Sequence, residues 1–292
     1  MIKSIPQIPE SIVDKTGTDK VNTVATDEAE LPIGVFDSGV GGLTVAAALR
    51  RRLPRERLLY LGDTARLPYG SKSPATVERY ALKAARFLAE RGIKMLVVAC
   101  NTATAHALAS LTHAHADLPV LGVVEAGAKA AAQASRSGRI IVAATEGTCR
   151  SDAFARAIIA CRPGAQVVQV PCPLFVALAE EGLTEGSIAE DMVRHYLAPH
   201  FTGPHAADCL VLGCTHFPLL VGSLRKVLGD AVAMVDCAEA VAAQAAKALA
   251  LSSHGPGSLS LIATDAPDRF GRIALKLFPA LGEVPDVELA DI

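Results

Sequence analysis

Short apolar runs recur along this chain with longer amphipathic stretches between them, and no other feature restricts the fold as tightly. The runs are IGVF (33–36), LLYLG (58–62), MLVVA (95–99), VLGVV (120–124), IIVAA (140–144), VVQV (167–170), CLVLG (209–213) and AMVD (233–236). Between them lie helical patterns at 42–53, 74–92 and 151–162; in the second, Val77, Tyr80, Ala81, Ala84, Phe87 and Leu88 share one face. Runs without polar alternation suit strands covered on both sides, so the reading is α/β, with mostly parallel sheet flanked by helices. In such sheets ligands gather at the C-terminal ends of the strands.

The runs also repeat. Ile33 to Ile140, Leu58 to Val167 and Leu96 to Leu210 are offset by 107, 109 and 114 residues, a slow drift of the kind left by duplication with small loop insertions. Two similar domains facing each other across a cleft are expected. Residues 31–124 with 236–292 would form the first, because AEAVAAQAAKALAL (238–251) reads as a helix that needs a sheet to cover, and 125–235 would form the second. Residues 1–30, polar and aperiodic, read as a flexible leader.

The repeat places two cysteines at equivalent strand ends, Cys100 in LVVACNTATA and Cys214 in VLGCTHFPLL. Opposed thiols suit inversion at a carbon acid, in which one group removes a proton from one face and its counterpart supplies one to the other. A thiol titrates near enough to neutrality for thiolate and thiol to coexist after modest tuning. Both cysteines are expected just before a helix start, where the dipole favours thiolate. His216 stands two residues after Cys214, and Asp37 ends the first strand, where it can face Cys100. The junctions DSGVGG (37–42), CNTAT, TEGT and CTH supply Ser38, Asn101, Thr102, Thr145, Thr148 and Thr215, which suit either substrate contacts or helix caps. Tyr69 and Gly70 lie in a turn, the tyrosine walling the cleft or filling space.

Composition closes off other classes. A net charge of −2 offers no footprint for nucleic acid or anionic lipid, and the basic cluster Arg50-Arg51-Arg52 reads as the solvated cationic end of a helix. The seven cysteines include no CxxC pair, which argues against a zinc ribbon, and reduced thiols fit a cytoplasmic protein. The five cysteines other than Cys100 and Cys214 are expected to pack inertly. His106, His113 and His115 have no partner at metal-ligand spacing, and DSGVGG lacks the spacing of a dinucleotide loop. No run is long enough to cross a bilayer.

Five blocks together, GVFDSGVGGLTV, YLGDTARLPYGSKS, VVACNTATA, GVVEAGAKAA and LVLGCTHFPLL, resemble the glutamate racemases of the cofactor-independent aspartate/glutamate racemase superfamily. The resemblance implies two α/β domains with the active site between them, and acid–base work by Cys100 and Cys214, assisted by Asp37 and His216, with no cofactor and no metal. It implies that Asp37, Ser38, Tyr69, Gly70, Asn101, Thr102, Thr215 and His216 line a glutamate site, with Thr145 and Thr148 matching less closely. It further implies a cytoplasmic isomerase, expected as a homodimer, whose D-glutamate serves peptidoglycan synthesis, cell-wall biogenesis and cell shape. The rival readings are a racemase of another amino acid such as aspartate or of a hydantoin, a two-domain small-molecule binding module, and a cysteine hydrolase.

Overall fold

The computed structural model describes residues 28–249, 255–278 and 283–292. Each apolar run forms a strand: β1 (Ile33–Asp37), β2 (Leu58–Gly62), β3 (Met95–Val98), β4 (Val120–Gly122), β5 (Arg139–Ala144), β6 (Gln166–Pro171), β7 (Cys209–Gly213) and β8 (Ala233–Asp236). Two further strands follow, β9 (Leu259–Ala263) and β10 (Val287–Leu289). All pairings are parallel, in two sheets ordered β10-β9-β2-β1-β3-β4 and β6-β5-β7-β8.

The repeat is visible in these orders. β2-β1-β3-β4 in one sheet corresponds strand for strand to β6-β5-β7-β8 in the other, and β9 and β10 extend the first sheet beyond β2. β1, β3 and β7 are buried along their whole length, as central strands covered on both faces should be. β6, at an edge, alternates exposed and covered positions instead. The sheets are not independent below the cleft. Val97 of β3, Val142 of β5, Val211 of β7 and Val241 of the Cys237–Ala248 helix belong to one apolar cluster. That helix is capped by Asp236, whose Oδ1 accepts the Ala238 N–H at 2.8 Å, and it packs on both the Leu43–Arg52 and the Val123–Ala134 helices.

Three expectations need correction. The run at 120–124 is strand only to Gly122, since Val123 and Val124 open a helix; both are buried, so apolar character could not separate strand from helix. The helix expected over 151–162 begins two residues late, as Ala153–Cys161, because Asp152 takes a left-handed φ of 54° that separates it from a further short helix outside that range, Glu146–Arg150. The leader ends early: Glu28–Glu30 forms a short 3-10 turn, Ala29 is buried, and its carbonyl accepts from Lys94 Nζ at 2.6 Å. The rest of the stretch expected to be flexible, residues 1–27, lies outside the described residues. Among the described residues no helix is long and apolar enough to cross a membrane.

Candidate active site

Cys100 follows β3 and caps the Asn101–Ala114 helix, its Sγ accepting the Ala103 N–H at 3.4 Å. The same thiol points its hydrogen to Ser38 Oγ at 3.5 Å. β1 neighbours β3, so Asp37 stands beside it, fully buried, with Oδ2 taking the Gly39 N–H at 3.0 Å and Oδ1 left without a partner. Burial raises the Asp37 carboxyl; the positive charge of His216 and nearby backbone amides only partly oppose it. Burial, and then the charge of Asp37, push the Cys100 thiol up to about 12, and a charge on Cys214 adds to this. The helix-start position, expected to favour thiolate, is therefore outweighed by burial at Cys100.

Cys214 follows β7 but does not cap a helix. The next element is a 3-10 turn, Phe217–Leu220, and the Val221–Leu228 helix begins only after it. Its partner is His216, with Nδ1 3.6 Å from Cys214 Sγ. On the other side of the ring, Nε2 lies 3.4 Å from Glu180 Oε1, a charge contact rather than an aligned hydrogen bond. Burial alone would depress the imidazole, yet its contacts with Cys214 and Glu180 outweigh this and push it up to about 10. Reciprocally, His216 holds the Glu180 carboxyl below its usual range against the effect of burial, with help from Arg269. Cys214 thus has a cation at its side, whereas Cys100 has an anion.

The hydroxyls expected in the cleft do meet across it. Thr102 Oγ1 lies 3.0 Å from Thr145 Oγ1 and 3.1 Å from Thr148 Oγ1, joining the two sheets' tips. Thr145 also caps its own short helix by accepting the Thr148 N–H at 3.3 Å. Gly70 sits against this cluster so closely that a Cβ there would lie 2.7 Å from Thr145 Cβ. Thr215 approaches the DSGVGG loop, where a Cβ on Gly41 would meet its Oγ1 at 2.4 Å. Asn101 Oδ1, like Asp37 Oδ1, is buried without a hydrogen-bond partner, so two of the residues gathered here have polar capacity to offer a bound molecule. Tyr69 differs: it is core, packed on Phe36 and Tyr80, and its hydroxyl is committed to Asp63 Oδ2 at 2.6 Å.

Two residues of this site escaped the sequence reading. Asp63 is the buried hub below Tyr69, its Oδ1 also accepting from Thr264 Oγ1 at 2.9 Å and Arg66 at 3.0 Å. It directly follows β2, so the rule that singled out strand-end polar residues applied to it as well. Glu180 lies at the end of the Pro173–Glu181 helix, at no fixed spacing from His216. Two surface expectations also change. Cys161 is exposed and Cys149 half-buried, so neither is packed away as expected. Arg50 is tied rather than solvated, giving hydrogen bonds to the carbonyls of Pro54 (3.2 Å), Glu56 (3.1 Å) and Gly257 (2.6 Å).

Known proteins share this fold. The glutamate racemase of Geobacter metallireducens is 46% identical over 263 residues, spanning 88% of this chain and 96% of the relative. The crystal structure of a glutamate racemase isoform from Bacillus anthracis superposes with a TM-score of 0.84 at 34% identity, over 90% of this chain and 98% of that one. That of Francisella tularensis, in complex with D-glutamate, gives 0.82 at 32% identity, over 90% and 98%. Residues 43–245 match the family model described as Asp/Glu/Hydantoin racemase, and with relatives this similar over most of its length the chain belongs to that family.

Proposed function

We propose that this chain is a glutamate racemase, an isomerase that interconverts L- and D-glutamate by proton transfer at Cα. The observation that carries the reading is the pair of buried thiols at equivalent strand ends of two repeated sheets, Cys100 hydrogen-bonded to Ser38 and Cys214 beside the His216 imidazole. The relative from Francisella tularensis binds D-glutamate in its crystal, which supports the choice of substrate.

Cys214, with the imidazolium of His216 beside it, serves as the thiolate that removes the Cα proton of L-glutamate. The neutral Cys100 thiol then gives its proton to the opposite face, leaving Cys214 as thiol and Cys100 as thiolate. D-glutamate takes the reverse route. His216 and Asp37 shuttle the protons that restore the starting distribution, His216 at Cys214 and Asp37 at Cys100. Glu180 orients the imidazole and balances its charge. Ser38, Tyr69, Gly70, Asn101, Thr102, Thr145, Thr148, Thr215 and His216 bind the substrate, Tyr69 through its ring or main chain because its hydroxyl is held by Asp63. The domains divide at 31–124 with 236–292 and at 125–235. The enzyme works as a cytoplasmic homodimer, and its D-glutamate enters peptidoglycan in a walled bacterium.

The test is solvent exchange. Incubated in D₂O with either enantiomer of glutamate and no added cofactor, the protein should place deuterium at Cα while optical rotation decays to zero. Binding without exchange would identify a binding module, and exchange into aspartate but not glutamate would move the substrate.

A further inference from the structure

Two side chains of the first sheet's helices reach across the cleft to main-chain carbonyls of the second. Thr44, at the start of the Leu43–Arg52 helix, shares its single hydroxyl proton between Gly41 O at 2.9 Å and, across the cleft, Thr215 O at 3.2 Å. His106, on the Asn101–Ala114 helix, places Nε2 3.1 Å from Gly147 O. A carbonyl only accepts, so His106 Nε2 carries the proton in this bond.

The receiving carbonyls are not arbitrary points. Thr215 lies between Cys214 and His216, and Gly147 lies between Thr145 and Thr148. The two bonds thus fall on the two sides of the site. Each is permitted by a nearby glycine: a Cβ on Gly41 would strike Thr215 and His216 within 3 Å, and one on Gly147 would lie 2.8 Å from Gly70 O. Gly147 O also accepts the Ser151 N–H at 3.2 Å, so loss of His106 would not orphan it.

We propose that Thr44 and His106 are positioning residues that hold the cleft closed, each fastening a helix of the first sheet to the backbone of the second, one beside Cys214 and one beside the Thr145–Thr148 turn. The inference rests on the two-thiol reading above, in which proton transfer from opposite faces requires a fixed separation between the walls. Neither residue touches substrate in this account. They act by raising the population of the closed form, which substrate binding must otherwise supply from its own interaction energy.

Four variants of the full chain test this: His106→Leu and Thr44→Val remove the donors, while His106→Gln and Thr44→Ser keep one. The first pair should raise KM for D-glutamate by roughly tenfold each, the effect of about 1.4 kcal/mol, with kcat nearly unchanged. Amide exchange without substrate should quicken at 148–151 for His106→Leu and at 214–217 for Thr44→Val. The second pair should restore both readouts. The proposal is overturned if Leu and Gln at 106 behave alike, or if melting temperature falls while KM and exchange stay at wild-type values. The exchange readout needs no turnover, so failure of wild-type protein to label glutamate in D₂O would sink the function and leave the clamps standing.

Discussion

Cys100 and Cys214 occupy the same place in two copies of one strand order, yet their surroundings are opposite in sign. Around Cys100 lie a buried carboxylate, a serine hydroxyl and one backbone amide, and the thiol keeps its proton. Around Cys214 lie a cationic imidazole and, behind it, a carboxylate that holds the cation in place. The repeated strand order supplies the positions, and single side chains supply the charges. For a reaction between mirror images the equilibrium constant is one, so kcat/KM must be equal in the two directions whatever the asymmetry of the site. The difference between the walls can show itself in kcat and KM taken separately, and in which step limits each direction.

The largest effect should come from removing either sulfur. Cys100→Ser and Cys214→Ser should each lower turnover by about 10²–10⁴-fold while leaving substrate binding in place, because each thiol works as a positioned acid or base. A near-normal rate in either variant would break the comparison at its root. A smaller effect tests the wall with the cation. His216→Gln should lower kcat/KM equally from both sides, by roughly tenfold or more, and should raise the primary deuterium isotope effect for L-glutamate more than for D-glutamate. Equal isotope effects would mean that His216 does not serve Cys214 in particular.

The smallest effect concerns stability. The His216 imidazole is raised from 6.5 to about 10 in the folded protein. Its contribution is therefore complete below pH 6.5 and is lost as pH rises through about 10. Burial raises Cys100 from 9.0 to about 12, so the folded state holds that proton where the unfolded chain releases it, and stability falls further between those values. Melting scans from pH 6 to 10 should show wild type losing several degrees more than His216→Gln over this window, on the order of 2–4 °C for each kcal/mol. Parallel profiles would mean that the imidazole is not charged in the folded state.

Strands β1 to β8 were legible because buried parallel strands have a continuous apolar signature that few other elements imitate. β9 and β10 were not. The first is interrupted by Ser260, and the second is three residues at an edge where Glu288 faces solvent. The chemistry at strand ends was legible for a related reason: α/β sheets present ligands there, so Cys100, Cys214 and Asp37 stood out by position alone. Glu180 meets His216 from a helix of the same half, while Thr44 and His106 meet the second half from helices of the first. Their partners depend on crossing geometry that no spacing along the chain encodes.

β2 pairs with β9, Leu58 beside Leu259, and all four strands of the second sheet lie between them in the chain. During synthesis the second sheet is complete in one contiguous stretch, whereas the first must wait with the edge of β2 unpaired until some two hundred further residues have emerged. Such long-range closure is slow, and an open parallel edge is where a nascent chain is most exposed to wrong pairing. The half of the enzyme that begins first is therefore the half that folds last, and it carries the greater risk of aggregation on the ribosome.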